Sequence, residues 1–154
     1  MATQTTENLQ TFAGFLKAHA VVVRQLNQEL VAEHGLTIND FEVLLRLSRS
    51  ENRMMRRVDL AEQVLLSPSG ITRLLEGLER SGYVEKKACS SDARVSYAHL
   101  TDAGYQKLRE CTRTHVAGVE RLFLGHFDAD EQDTLSELLS RVAGDGESLA
   151  CAPD

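Results

Sequence analysis

The chain has 154 residues, 42% hydrophobic and 26% charged, the make-up of one ordinary globular domain. Seventeen Lys and Arg against 23 Asp and Glu leave a net charge of −6, which excludes a polycation that coats nucleic acid or anionic lipid. No run reaches the roughly 18–20 apolar residues that a membrane span needs, and the opening MATQTTENLQ lacks the basic and apolar parts of an export signal, so a cytoplasmic chain without a membrane is expected.

Leu9, Phe12, Phe15, Leu16, His19, Val22, Val23, Leu26 and Leu30 recur at three- and four-residue steps, which predicts a first helix from about Thr6 to His34. Gly35 ends it. Thr37 opens a second helix, with Asp40 placed for a capping box and Phe41, Leu44, Leu45 and Leu47 on its apolar face. Residues 48–57, SRSENRMMRR, are polar and basic, a loop or a short edge strand. A short helix follows from about Val58 to Val64. Ser67-Pro68 is a strong helix start, and Ile71, Leu74, Leu75 and Leu78 carry that helix inward until Gly82.

The period then changes to that of strands. Residues 83–87 and 94–100 form two of them, joined by the small polar tip 88–93. Thr101 caps a long helix to about His126, with Tyr105, Leu108, Cys111, His115, Val116, Val119, Leu122 and Phe123 as its stripe. Asp128 and Glu131 open a last helix carrying Leu135, Leu138, Leu139 and Val142, and the acidic tail 144–154 is expected to be disordered.

The fold class expected is mostly α with a small β-wing, an α+β winged helix-turn-helix in one domain. Residues 37–100 make the winged lobe. Residues 8–34 and 101–142 carry apolar stripes that this lobe cannot cover, so they are expected to bury them against a second copy as dimerisation helices. The three cysteines, Cys89, Cys111 and Cys151, are too far apart for a zinc ribbon and are expected to be free thiols.

At this point the sequence resembles the MarR family of bacterial transcription regulators. The resemblance rests on Gly35-Leu36-Thr37, Asp59-Leu60-Ala61-Glu62, the run Leu66-Ser67-Pro68-Ser69-Gly70-Ile71-Thr72-Arg73-Leu74-Leu75, and Leu78-Glu79-Arg80-Ser81-Gly82-Tyr83-Val84. Asp92-Ala93-Arg94 and Leu100-Thr101-Asp102-Ala103-Gly104 complete it. It spans about residues 10 to 142 and implies a homodimeric winged helix-turn-helix regulator, expected here to be a repressor, with activation as the alternative. Such a protein binds a palindromic operator on double-stranded DNA and often releases it on meeting a small-molecule effector or an oxidant.

Charge is distributed in keeping with that reading. Residues 53–94 hold eight basic and six acidic side chains, a net of +2, which leaves −8 for the rest. A recognition helix presents its N-terminal residues to base edges in the major groove, here Ser67, Ser69, Gly70, Thr72 and Arg73. Arg73 either makes a bidentate contact to guanine or neutralises a phosphate. The resemblance implies that Arg94 enters the minor groove with Asp92 orienting it, and a narrow A·T groove does favour an Arg. Lys86 and Lys87 stand where the family commonly has arginines and can still neutralise phosphates. Arg53, Arg56 and Arg57 are either phosphate anchors or a solvated basic loop, and Arg57 is taken as a DNA contact.

The family's effectors bind between the dimerisation helices and the winged lobe, which points to Phe15, His19, Phe41, Leu45 and His115, although each reads first as core. Cys89, after Lys86-Lys87, is either a redox-responsive thiol activated by those cations or an exposed bystander. No metal cluster, cofactor motif or nucleophile–base pair is present, so neither an enzyme nor a metal sensor is expected. The rival reading is a winged-helix protein-interaction module without DNA binding, which the −6 charge favours.

Overall fold

The computed structural model describes the backbone of residues 2–64 and 66–143, and the side chains from residue 9 onward within those ranges. The expected tail disorder and Cys151 lie outside the described residues. Among the described residues six α-helices and three strands follow one another: α1 (Ala2–His34), α2 (Ile38–Arg49), β1 (Met54–Arg56), α3 (Arg57–Gln63), α4 (Pro68–Arg80), β2 (Val84–Ala88), β3 (Ser96–Leu100), α5 (Asp102–Leu122) and α6 (Ala129–Ala143).

Local chemistry sets most of these boundaries. Gly35 takes φ +69°, a left-handed conformation that glycine adopts without strain, and its N–H bonds back to Val31. Thr37 and Asp40 form the reciprocal capping box at the start of α2. Ser67 accepts from the Gly70 N–H with Pro68 in the first turn of α4, and Thr101 accepts from the Gly104 N–H at the start of α5. Asp128 and Glu131 bond each other's backbone N–H at 2.9 Å before α6.

The wing and the end of the long helix depart most from the sequence reading. The wing is a three-stranded antiparallel sheet in the order β1-β3-β2, not a two-stranded hairpin. The MMR stretch supplies the extra edge, pairing Met55 with Ala98 and half-burying both its methionines. The long helix stops at Leu122 instead of running to His126. Phe123 leaves helical geometry (φ −131°, ψ −67°) and packs edge-to-face on Phe127 at 5.4 Å. Gln132 then donates to the Leu124 and Phe127 carbonyls that the interruption releases.

The core joins α2, α3, α4, β2, β3 and α5 through Phe41, Leu44, Leu47, Leu60, Leu75, Leu78, Val84, Leu100 and Leu108. Gly104 is required where α5 crosses the turn into β2, because a Cβ there would sit 2.1 Å from the Tyr83 carbonyl oxygen. The α1 stripe divides in two. Leu26 and Leu30 are buried against the rest of the chain, whereas Leu9, Phe12, Phe15 and Leu16 are 49–62% exposed.

Candidate nucleic-acid interface

The N-terminal turn of α4 projects from the lobe with Ser67, Ser69, Thr72 and Arg73 all exposed. The Ser67 hydroxyl is engaged by the Gly70 N–H at 3.1 Å and lies 3.2 Å from the Ser69 hydroxyl. Thr72 donates to the Pro68 carbonyl at 2.9 Å, which leaves its oxygen able to accept. Arg73 makes no ion pair among the described residues, so its five donors are available. Arg57 starts α3 behind this turn and is half-buried, with one Nη2 buried and unpartnered. It lines a hollow of about 430 Å³ with Val58, Ala61, Glu62, Leu66, Pro68, Ile71 and Thr72.

At the wing tip, Asp92 folds the loop that presents Arg94. Its carboxylate accepts the Arg94 N–H at 3.0 Å, its carbonyl accepts the Val95 N–H at 3.0 Å, and the Val95 carbonyl accepts the Cys89 N–H at 3.1 Å. The Arg94 guanidinium lies farther away, with Nε 3.4 Å from Asp92, and its side chain is 93% exposed. Asp92 therefore fixes the backbone of the tip more firmly than it fixes the guanidinium.

Besides Arg94, three of the eight cations in residues 53–94 are already paired with acids. Arg53 pairs with Asp102 at 3.0 Å, Arg56 with Asp59 at 2.7 Å, and Lys87 with Glu85 at 3.1 Å. Sequence reading missed the Glu85 cluster. Strand register places Glu85 opposite His99, whose Nδ1 lies 2.8 Å from the same carboxylate oxygen that holds Lys87. The Glu85 carboxyl is held below its ordinary range, first by the hydrogen bond from Lys87, against desolvation. The hairpin alternation in the sequence carried that signal once the register was known.

Cys89 is partly exposed, and its thiol is pulled below its ordinary value. The cause is the Ser91 hydroxyl, 3.0 Å from its sulfur, and then the Ser91 and Asp92 backbone. The neighbouring lysines, which the sequence suggested, are not the cause.

The five candidate effector residues do not converge. Phe15 and His19 line an apolar groove of about 460 Å³ whose other walls include Val119, Phe123, Phe127 and Leu135. Phe41 and Leu45 are buried in the core, and His115 stacks on Phe41 with ring centroids 4.6 Å apart. The His115 Nδ1 is buried without a hydrogen-bond partner.

A family model described as MarR matches residues 36–96, which span the helix-turn-helix and the hairpin up to the start of β3. The HTH-type transcriptional regulator YkoM of Bacillus subtilis (strain 168) is 33% identical over 111 residues, 71% of this chain and 70% of that protein. The structure of AbsC, a MarR family transcriptional regulator from Streptomyces coelicolor, superposes with a TM-score of 0.79. It is 31% identical, over 88% of this chain and 90% of AbsC.

The chain belongs to the MarR family. A second MarR family regulator from Streptomyces coelicolor, Sco3205, was solved in complex with DNA. It matches at a TM-score of 0.83 and 27% identity, over 90% of this chain and 86% of Sco3205. These relatives are transcriptional regulators, not enzymes. Among the described residues of this MarR-family chain, no helix is long and apolar enough to cross a membrane, and no group of three His, Cys, Asp or Glu could hold a metal ion.

Proposed function

We propose that this chain is a ligand-responsive repressor that binds a palindromic operator as a homodimer. The observation that carries it is the joint exposure of two surfaces of opposite character. Ser67, Ser69, Thr72, Arg73 and Arg94 project from the winged lobe, while Leu9, Phe12, Phe15 and Leu16 stand uncovered on α1. The first set suits a major groove and its neighbouring minor groove, and the second suits a partner copy. On this reading residues 37–100 read DNA and residues 8–34 with 101–142 dimerise. The two recognition helices then sit about one turn of duplex apart, roughly 34–36 Å. The effector acts at the joint of α2 and α5, where the unpartnered His115 Nδ1 beside Phe41 offers a hydrogen bond.

Gel shift of the gene's own upstream region against a scrambled duplex tests the DNA reading, and equal affinity for both defeats it. A thermal-shift screen of phenolic carboxylates, antibiotics and peroxides tests the effector reading, which fails if no compound both raises the melting temperature and releases DNA. The −6 charge and the three neutralised cations favour one other reading, an interaction module that does not bind DNA. Salt separates the two, because phosphate contacts make affinity fall steeply as salt rises.

A further inference from the structure

Arg53 does not behave as a basic residue awaiting phosphate. It closes the three-residue turn Glu51–Arg53 between α2 and β1, where both Asn52 (φ 54°) and Arg53 (φ 53°) adopt the left-handed conformation. Asn tolerates that region, but Arg rarely enters it, so surrounding contacts must hold Arg53 there. They are visible. The Arg53 guanidinium lies over the Tyr105 ring, 4.2 Å from its centroid, and its Nη1 donates to Asp102 at 3.0 Å. Tyr105 packs against the core, so the cation rests on a fixed platform.

The position of this contact matters more than its strength. Met54, the next residue, begins β1 and pairs with His99 of β3. β3 ends at Leu100, and α5 begins two residues later at Asp102. Arg53 thus ties the start of β1 to the first turn of α5, closing a ring through β3. The strand that leads into α3 and α4 is fixed there to the helix that runs away from the lobe.

We infer that Arg53 is a positioning residue for operator binding, acting through Tyr105 and Asp102 to set the angle of the winged lobe on α5. The inference rests on the DNA-binding reading above. If the lobe turns on α5, each copy still grips its own half-site, but two copies no longer fit both halves together.

The test uses the full-length protein and a duplex that the wild-type chain itself recovers from a randomised library, beside the same duplex with one half scrambled. Arg53→Gly keeps the positive φ without strain and removes the side-chain contacts. Tyr105→Leu changes no charge. Each is expected to weaken full-site binding about tenfold, the scale on which residues between coupled elements act. Half-site affinity and the salt slope measured on the half-site stay at wild-type values, and the double variant loses no more than the worse single one. Asp102→Asn also weakens the full site.

If Arg53 instead touched phosphate, Arg53→Gly would lower the half-site salt slope by about one and Asp102→Asn would tighten half-site binding by freeing the cation. Either result overturns the inference, as do equal losses on full and half sites or no loss at all. Recovery of no preferred duplex by the wild-type chain overturns the DNA-binding reading and this inference together.

Discussion

At the scale of single residues, Arg94 is the side chain whose role separates most cleanly from folding. It is 93% exposed, and its one ion pair, to Asp92, is long. Exposed pairs of this kind contribute little to stability. Arg94→Ala is therefore expected to weaken operator binding at least tenfold, on the order of the loss of one good groove contact. Its melting temperature should stay within about 1 °C of wild type, since surface changes rarely exceed about half a kcal/mol. Binding by anisotropy and melting by circular dichroism check it, and a large melting shift would make Arg94 structural. The thiols make a second prediction. Ser91 draws Cys89 below its ordinary value, while burial pushes Cys111 up to about 11. Thiolate is the reactive form, so in a Cys151→Ser background iodoacetamide at pH 8 should label Cys89 long before Cys111. Ser91→Ala should slow the labelling of Cys89, and an unchanged rate would mean that exposure alone governs it.

At the scale of elements, what the sequence disclosed was whatever is decided within a few residues. Thr37 with Asp40, Ser67-Pro68, Thr101, and Asp128 with Glu131 mark helix starts because the capping bonds span three residues. The end of α5 escaped notice because its apolar stripe continues into Phe123, and the bonds that stop it come from Gln132 across a turn. The Arg53 contact was equally invisible, since its partner Asp102 lies 49 positions away and no pattern announces a positive φ at an arginine. Stripes mark the apolar faces of α1, α2 and α5 but not what covers each residue, so the pattern alone puts Phe15 with Phe41, whereas Phe15 lines the groove on α1 and Phe41 lies in the core. The α2–α5 joint carries a further prediction. Burial holds His115 below its ordinary value of 6.5, so the folded chain resists a proton there that the unfolded chain accepts. Stability contributed this way is intact above about pH 6.5 and is lost as pH falls from there through the folded value. His115→Phe keeps a ring against Phe41 and removes the titration. The fall in melting temperature between pH 7.5 and 5.5 should be smaller in the variant, and an equal fall would assign the acid sensitivity to other groups.

At the scale of the whole molecule, the uncovered half of α1 decides whether this lobe can read a palindrome. One lobe presents one recognition helix, and two lobes gain specificity only if a rigid connection converts the second docking into an intramolecular event. The apolar surface that would make the connection includes Phe12 and Leu16, one turn apart on α1, 58% and 49% exposed. With neighbouring Leu9 and Phe15 also exposed, they form a cluster of large side chains that a monomer would leave in water at a cost of about 25 cal/mol per Å². Charges placed there are ruinous to such an interface and harmless to a lone chain, because neither residue lines the groove formed with Val119 and Phe123. Phe12→Glu with Leu16→Glu is therefore expected to sediment as single chains of 17.1 kDa at micromolar concentration, and the wild type is expected at twice that mass. The wild-type melting temperature should rise with protein concentration, as mass action requires of a dimer, and that of the variant should not. Full-site affinity should collapse toward the half-site value while each lobe stays folded. A wild-type chain that sediments singly, with and without duplex, would detach the exposed face of α1 from DNA reading altogether.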